Sequence, residues 1–211
     1  PGVIERSFAE LAGQGSGTPL RARVNSSNLA QFDAYVARYK IDLTPLQHQE
    51  TWAAALLLAQ AAQIDAGSDP ANGIDRAVKA AAGTRPVEEF EGADAQLRIF
   101  DALPEADQRD LLTAVISGSG DAKAETRAME QAWAKGDIAA LASDTQGGLL
   151  SDPELRAALL TGRNRAWTLR LQAMLGRGQR PFAAVGAAHL AGPEGLPAML
   201  SAAGYRVTRL Q

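Results

Sequence analysis

Apolar positions recur along the chain with two different periods, and the predicted elements follow from where each period holds. Residues 2–8 read as a short strand ending at Glu5. In 20–25, Leu20, Ala22 and Val24 alternate with Arg21, Arg23 and Asn25, the pattern of a half-exposed strand. A Gly/Ser-rich loop over 12–19 separates the two. Helical spacing then takes over. Asn28 caps a helix whose inward set is Leu29, Phe32, Val36 and Tyr39. Thr44, Pro45 and Gln47 form an N-cap, a first-turn proline and a capping-box partner, opening a helix to about Asp65. Its inner face is read as Leu46, Ala53, Leu57, Gln60 or Ala61, and Ile64. Residues 67–72 stop it, and a helix over 73–82 follows.

Residues 84–90 read as a strand with Pro86 near its start. Three or four helices follow Glu91 and Gly92 to about Ser143, punctuated by Pro104, Gly118 to Gly120, and Gly136. Asp152, Pro153 and Glu154 open the longest helix, ending near Leu175 before Gly176 and Gly178. The run Phe182, Ala183, Ala184, Val185 is apolar throughout, as in a strand covered on both faces. A turn through His189, a helix over 193–203 and a strand over 205–210 close the chain. These elements predict an α/β fold: a small mixed sheet, a large helical insertion and a closing strand–helix–strand unit. No linker divides the pattern, so residues 1–211 read as one domain.

Composition narrows the function. With 46% hydrophobic and 21% charged residues, the chain has the makeup of a folded globular protein. A net charge of −3 argues against a broad nucleic-acid footprint. The absence of cysteine removes thiol nucleophiles, disulfides and cysteine-ligated metals, and two histidines, His48 and His189, cannot make a histidine-rich metal site. No run approaches a membrane span, since Gln60 and Gln63 interrupt the richest one. Residue 1 is Pro rather than Met, which reads as a processed or trimmed chain whose leader has been removed.

Few residues are placed for chemistry. His189 follows Gly186 by three positions at the carboxyl end of a predicted strand, where open α/β sheets gather ligands. Gly186 is read as the place where a Cβ would obstruct the turn, and 192–195 as a source of free N–H groups for an anion. A core or capping histidine accounts for the same residue equally well. Glu5 and Glu91, at the ends of two other predicted strands, would meet His189 at one sheet edge, an oxygen–nitrogen donor set suited to Mn, Co or Zn. Glu88 and Glu89 read as a solvated strand end. In the long helix, Leu160, Asn164, Trp167 and Leu171 share one stripe, so the Asn164 amide needs a partner. Arg163 beside it suits a substrate carboxylate, or equally an Arg–Glu brace. His48 reads as a surface residue leaning on Trp52. No Gly-x-Ser-x-Gly elbow, phosphate loop or dinucleotide fingerprint is present, and Gly13-x-Gly15-x-Gly17 reads only as a loop.

The C-terminal third, with RNRAW at 163–167 and PFAAVGAAHLAGPEGLPAMLSAAGYRV at 181–207, resembles the TraB/PrgY/GumN family. The likeness rests on the motif Gly186-x-x-His189, the Leu-x-Gly that ends at Gly192, a short helix and a Gly-Tyr-x-Val strand. VEEFEGADAQLRIFDALPEADQ (87–108) is similar to the family's Leu-Glu-Thr segment and would place its glutamate at Glu91; VIERS would place another at Glu5. The resemblance implies an EreA/ChaN/TraB-like fold and a distant relationship to Tiki-type metal-dependent peptidases. It implies a divalent ion (Mn, Co or Zn) held by His189, Glu91 and Glu5, with Glu91 as ligand or general base. Arg163 and Asn164 would then bind substrate, Arg163 steadying an oxyanion. Such peptidases carry two Gly-x-x-His motifs; this chain has one, so a truncated and inactive fragment is also expected. The alternatives are a non-catalytic binding module of the bacterial cell envelope, with a peptide or small-molecule ligand, or a haem binder using His48 or His189. A periplasmic location and a homodimer belong to the same set of expectations.

Overall fold

The computed structural model describes residues 2–13, 15, 17–69, 72–118, 122–144 and 147–210. Parts of three expected breaks, at 12–19, 67–72 and 118–120, lie outside the described residues. The α/β expectation is overturned: among the described residues every regular element is helical and none is a strand. Contacts divide the chain into two compact units. The first joins Pro1–Ser68 with Glu91–Lys123, the second Asp69–Phe90 with Ala124–Gln211.

In the first unit, α1 spans Val3–Ala12, α2 Leu29–Tyr39, α3 Thr51–Asp65, α5 Gly92–Asp101 and α6 Glu105–Ser117. The expected first strand is thus a helix. Phe8, Leu11 and Ala12 recur at helical rather than alternating spacing, and Phe8 meets Trp52 edge to face at 5.5 Å. Leu20–Arg23 is a 3₁₀ turn, not a strand, because Leu20 and Arg23 both turn inward, three positions apart. Arg23 is 1% exposed. Its guanidinium donates to the carbonyl oxygens of Thr18, Gln47 and Gln49 and to Thr51 Oγ1, at 2.6–3.3 Å. Burial lowers its pKa, with Glu105 and Glu50 pulling the other way.

That grip explains why the long helix does not begin at Thr44. Thr44–Leu46 makes a single 3₁₀ turn, and the carbonyls of Gln47 and Gln49 are taken by Arg23 instead of accepting helical bonds. The helix starts at Thr51, where Gln108 of α6 caps it by accepting the Trp52 N–H at 3.0 Å. Trp52, Ala53, Ala54, Ala55 and Leu58 are buried, while Ile64, expected inside, is 57% exposed. In α2 the inward pair is Phe32 and Tyr35, and the Tyr35 hydroxyl donates to Leu58 O at 3.0 Å.

In the second unit, α4 spans Ile74–Ala82, α7 Ala122–Lys135, α8 Ile138–Asp144 and α10 Leu196–Ala202. The long helix α9 begins, as expected, at Asp152, whose side chain accepts from the Leu155 N–H at 2.9 Å. It runs as α-helix over Pro153–Arg156, as a π turn over Ala157–Thr161, and as α-helix again over Gly162–Gly176. Residues 84–90, 181–186 and 205–210, expected as strands, have no regular structure. Strands exist only in ladders, and none forms among these residues. Phe182, expected in a strand covered on both faces, is 85% exposed.

Candidate functional site

The second unit gathers its chemistry around His189. The imidazole sits in the 3₁₀ turn Ala187–Leu190, whose first bond runs from the His189 N–H to Gly186 O at 2.9 Å. Gly186 has an ordinary φ, and a Cβ there would meet only His189 Cδ2, at 3.8 Å, so it is not the obligatory glycine expected. The constrained positions come later. Gly192 has φ +72°, and a Cβ on Gly195 would lie 2.8–2.9 Å from the backbone of Leu190 and Ala191.

His189 is 9% exposed and its ring lies 4.4 Å from that of Trp167. Its Nδ1 is 2.6 Å from Asn164 Oδ1, while Asn164 Nδ2 donates to Glu194 O at 2.7 Å. Those two contacts determine a proton. With the amide nitrogen committed to a carbonyl, the amide oxygen faces the ring, so Nδ1 carries the hydrogen and Nε2 keeps its lone pair. Burial first, and then the positive charge of Arg163, push the His189 pKa down to about 4, so the ring is neutral at physiological pH.

Around this pair stands an aromatic stack edged by guanidinium groups. Phe90 lies on Trp167 at 5.2 Å, Arg163 covers Trp167 at 4.7 Å, and Arg170 stands 5.9 Å from the Phe90 centroid. Two Arg–Glu pairs brace this unit. Arg170 binds Glu88 Oε2 at 3.0 Å and the carbonyls of Glu89 and Phe90; Arg156 binds Glu194 Oε2 at 2.6 Å. Sequence reading passed over Glu194, Arg156 and Arg170. The only hint was that Asn164, polar on an apolar stripe, needed a partner.

Of the expected site residues, His189, Asn164 and Arg163 stand together in the second unit. Asn164, expected to bind substrate, is fully buried with its amide committed at both ends. Glu5 and Glu91 belong to the first unit, Glu5 exposed in the first turn of α1 and Glu91 half-buried at the N-cap of α5, the helix against which α1 packs. The sheet edge expected to bring Glu5, Glu91 and His189 together does not form among the described residues.

A divalent ion needs several converging donors. His189 fits as one of them, being neutral with Nε2 available. The set does not fit: among the described residues no three histidine, aspartate or glutamate side chains come together as an ion would require, and the charged neighbour of His189 is a cation. Among the same residues no helix is long and apolar enough to cross a membrane.

The sequence profile of the TraB/PrgY/gumN family matches residues 5–209. No curated protein and no solved structure matches the chain.

Proposed function

The chain belongs to the TraB/PrgY/gumN family, and from that premise we propose that it contributes His189 Nε2 as the working atom of a hydrolase acting on a peptide or other carbonyl substrate. The observation that carries this reading is the Asn164-locked imidazole: a neutral ring with Nδ1–H fixed leaves one directed lone pair. A histidine that serves through one nitrogen is commonly held in this way through the other. Arg163, stacked on Trp167, supplies positive charge beside it for a substrate carboxylate or a developing oxyanion. The donor set does not support routing a step through a divalent ion. What this chain does is hold the imidazole neutral, oriented and largely out of water.

The test is peptide hydrolysis by the full chain beside His189→Ala, each followed with and without added Mn, Co or Zn. Turnover that falls in the variant supports the reading; equal turnover by both proteins rejects it. A second reading, a non-catalytic binding module on the same scaffold, is favoured by the lack of a three-donor group among the described residues. It expects a ligand whose affinity depends on Arg163 while no substrate is turned over.

A further inference from the structure

We propose that Gly162 is the positioning residue of this site: by allowing the π turn in α9 it sets the rotational phase of Asn164, and through Asn164 the tautomer of His189. The inference rests on His189 being the working group.

The π turn over Ala157–Thr161 closes with the Gly162 N–H bonding to Ala157 O, five residues back. Gly162 itself has φ −62°, which any residue adopts. What it lacks is a Cβ, and one built there would lie 2.7 Å from Ala157 O, a backbone atom that cannot swing aside. The glycine is therefore required for space rather than for conformation.

Helix geometry gives the turn its purpose. Arg156 and Asn164, on either side of it, both hold Glu194: Arg156 binds the carboxylate, and Asn164 donates to the carbonyl oxygen. They are eight residues apart, which at about 100° per residue leaves them about 80° apart around a regular α-helix. A π turn absorbs one residue, so they come within about 20° of each other and face the same partner. Thr161, inside the turn, bonds its hydroxyl to Arg156 O at 3.2 Å, again five residues back. Forcing the segment into α-helix would rotate Asn164 by roughly one residue step relative to Arg156 and take its amide oxygen away from Nδ1.

Two variants of the full chain test this, with the His189 ring nitrogens read by two-bond ¹H–¹⁵N spectra at one neutral pH. The wild-type protein is expected to show Nδ1 protonated, and Gly162→Ala to show a mixture of tautomers. Deleting Ala158 from Gly162→Ala makes the bond from residue 162 to Ala157 an ordinary four-residue one, removes the crowding and restores both phase and tautomer. The proposal is overturned if Gly162→Ala keeps a folded amide spectrum and an unchanged Nδ1–H signal. It is equally overturned if the deletion variant folds without recovering that signal, which covers the case in which Gly162→Ala alone does not fold. Turnover is not read, so failure of the hydrolase reading leaves this test standing. A wild-type ring lacking Nδ1–H would overturn the site geometry itself.

Discussion

Replacing His189 by Gln should change how the stability of this protein depends on acid. Gln keeps a donor for Asn164 Oδ1 but cannot take up a proton. In the native protein the imidazole is 9% exposed and its pKa is lowered from 6.5 to about 4, by burial first and by Arg163 second. In the unfolded chain it titrates near its ordinary value. Between these two pKa values the unfolded state binds a proton that the native state refuses, so stability falls as the pH drops. The loss begins below about pH 6.5, has a limiting slope of about 1.4 kcal/mol per pH unit, and is complete once the native imidazole also protonates, near pH 4. The integrated loss is about 3 kcal/mol. Urea denaturation of wild type and His189→Gln at several pH values from 7.5 to 4, with chelator present, measures it. Carboxylates shared by the two proteins cancel in the difference. The wild-type advantage over the variant should shrink by about 3 kcal/mol across that range. Parallel stability curves would refute a buried, neutral imidazole.

Arg23→Met should cost at least about 3 kcal/mol by thermal or urea unfolding, since it strips the donors from the carbonyls of Thr18, Gln47 and Gln49. Tyr35→Phe should cost about 1 kcal/mol through the lost bond to Leu58 O. In the parent protein, absorbance titration should show one phenol ionising only near pH 12, because burial raises Tyr35 to about 12. Gly195→Ala should lower the melting temperature clearly more than Gly186→Ala, because the added methyl meets the backbone of Leu190 and Ala191 below 3 Å in one case and only His189 Cδ2 at 3.8 Å in the other.

Local signals in the sequence survived wherever the backbone answers to nearby residues. Asp152 followed by Pro153 marked the start of α9 because a side-chain cap and a first-turn proline act within one turn. The breaks at Pro104 and Gly136 held for the same reason. The strands failed because an extended run of alternating or apolar residues is only permission to pair. Phe182 to Val185 looks like a buried strand, yet nothing among the described residues pairs with it. Asn164 was legible as a polar residue on an apolar stripe, but its partners lie 25 and 30 residues away and no spacing announces them. Arg23 was hidden by its own chemistry. An arginine alternating with Leu20, Ala22 and Val24 reads as the solvent face of a strand, while two of the carbonyls that draw it inward lie more than twenty residues downstream.

The pairing of Pro1–Ser68 with Glu91–Lys123, and of Asp69–Phe90 with Ala124–Gln211, has a consequence during synthesis. A nascent polypeptide leaving the ribosome cannot finish the earlier body until α6 has emerged, and by then residues 69–90 are already outside. Within that stretch Phe90 and Glu88 must wait for α9, whose Trp167 and Arg170 receive them. No single cut in the gene therefore yields two pieces that each carry a whole body.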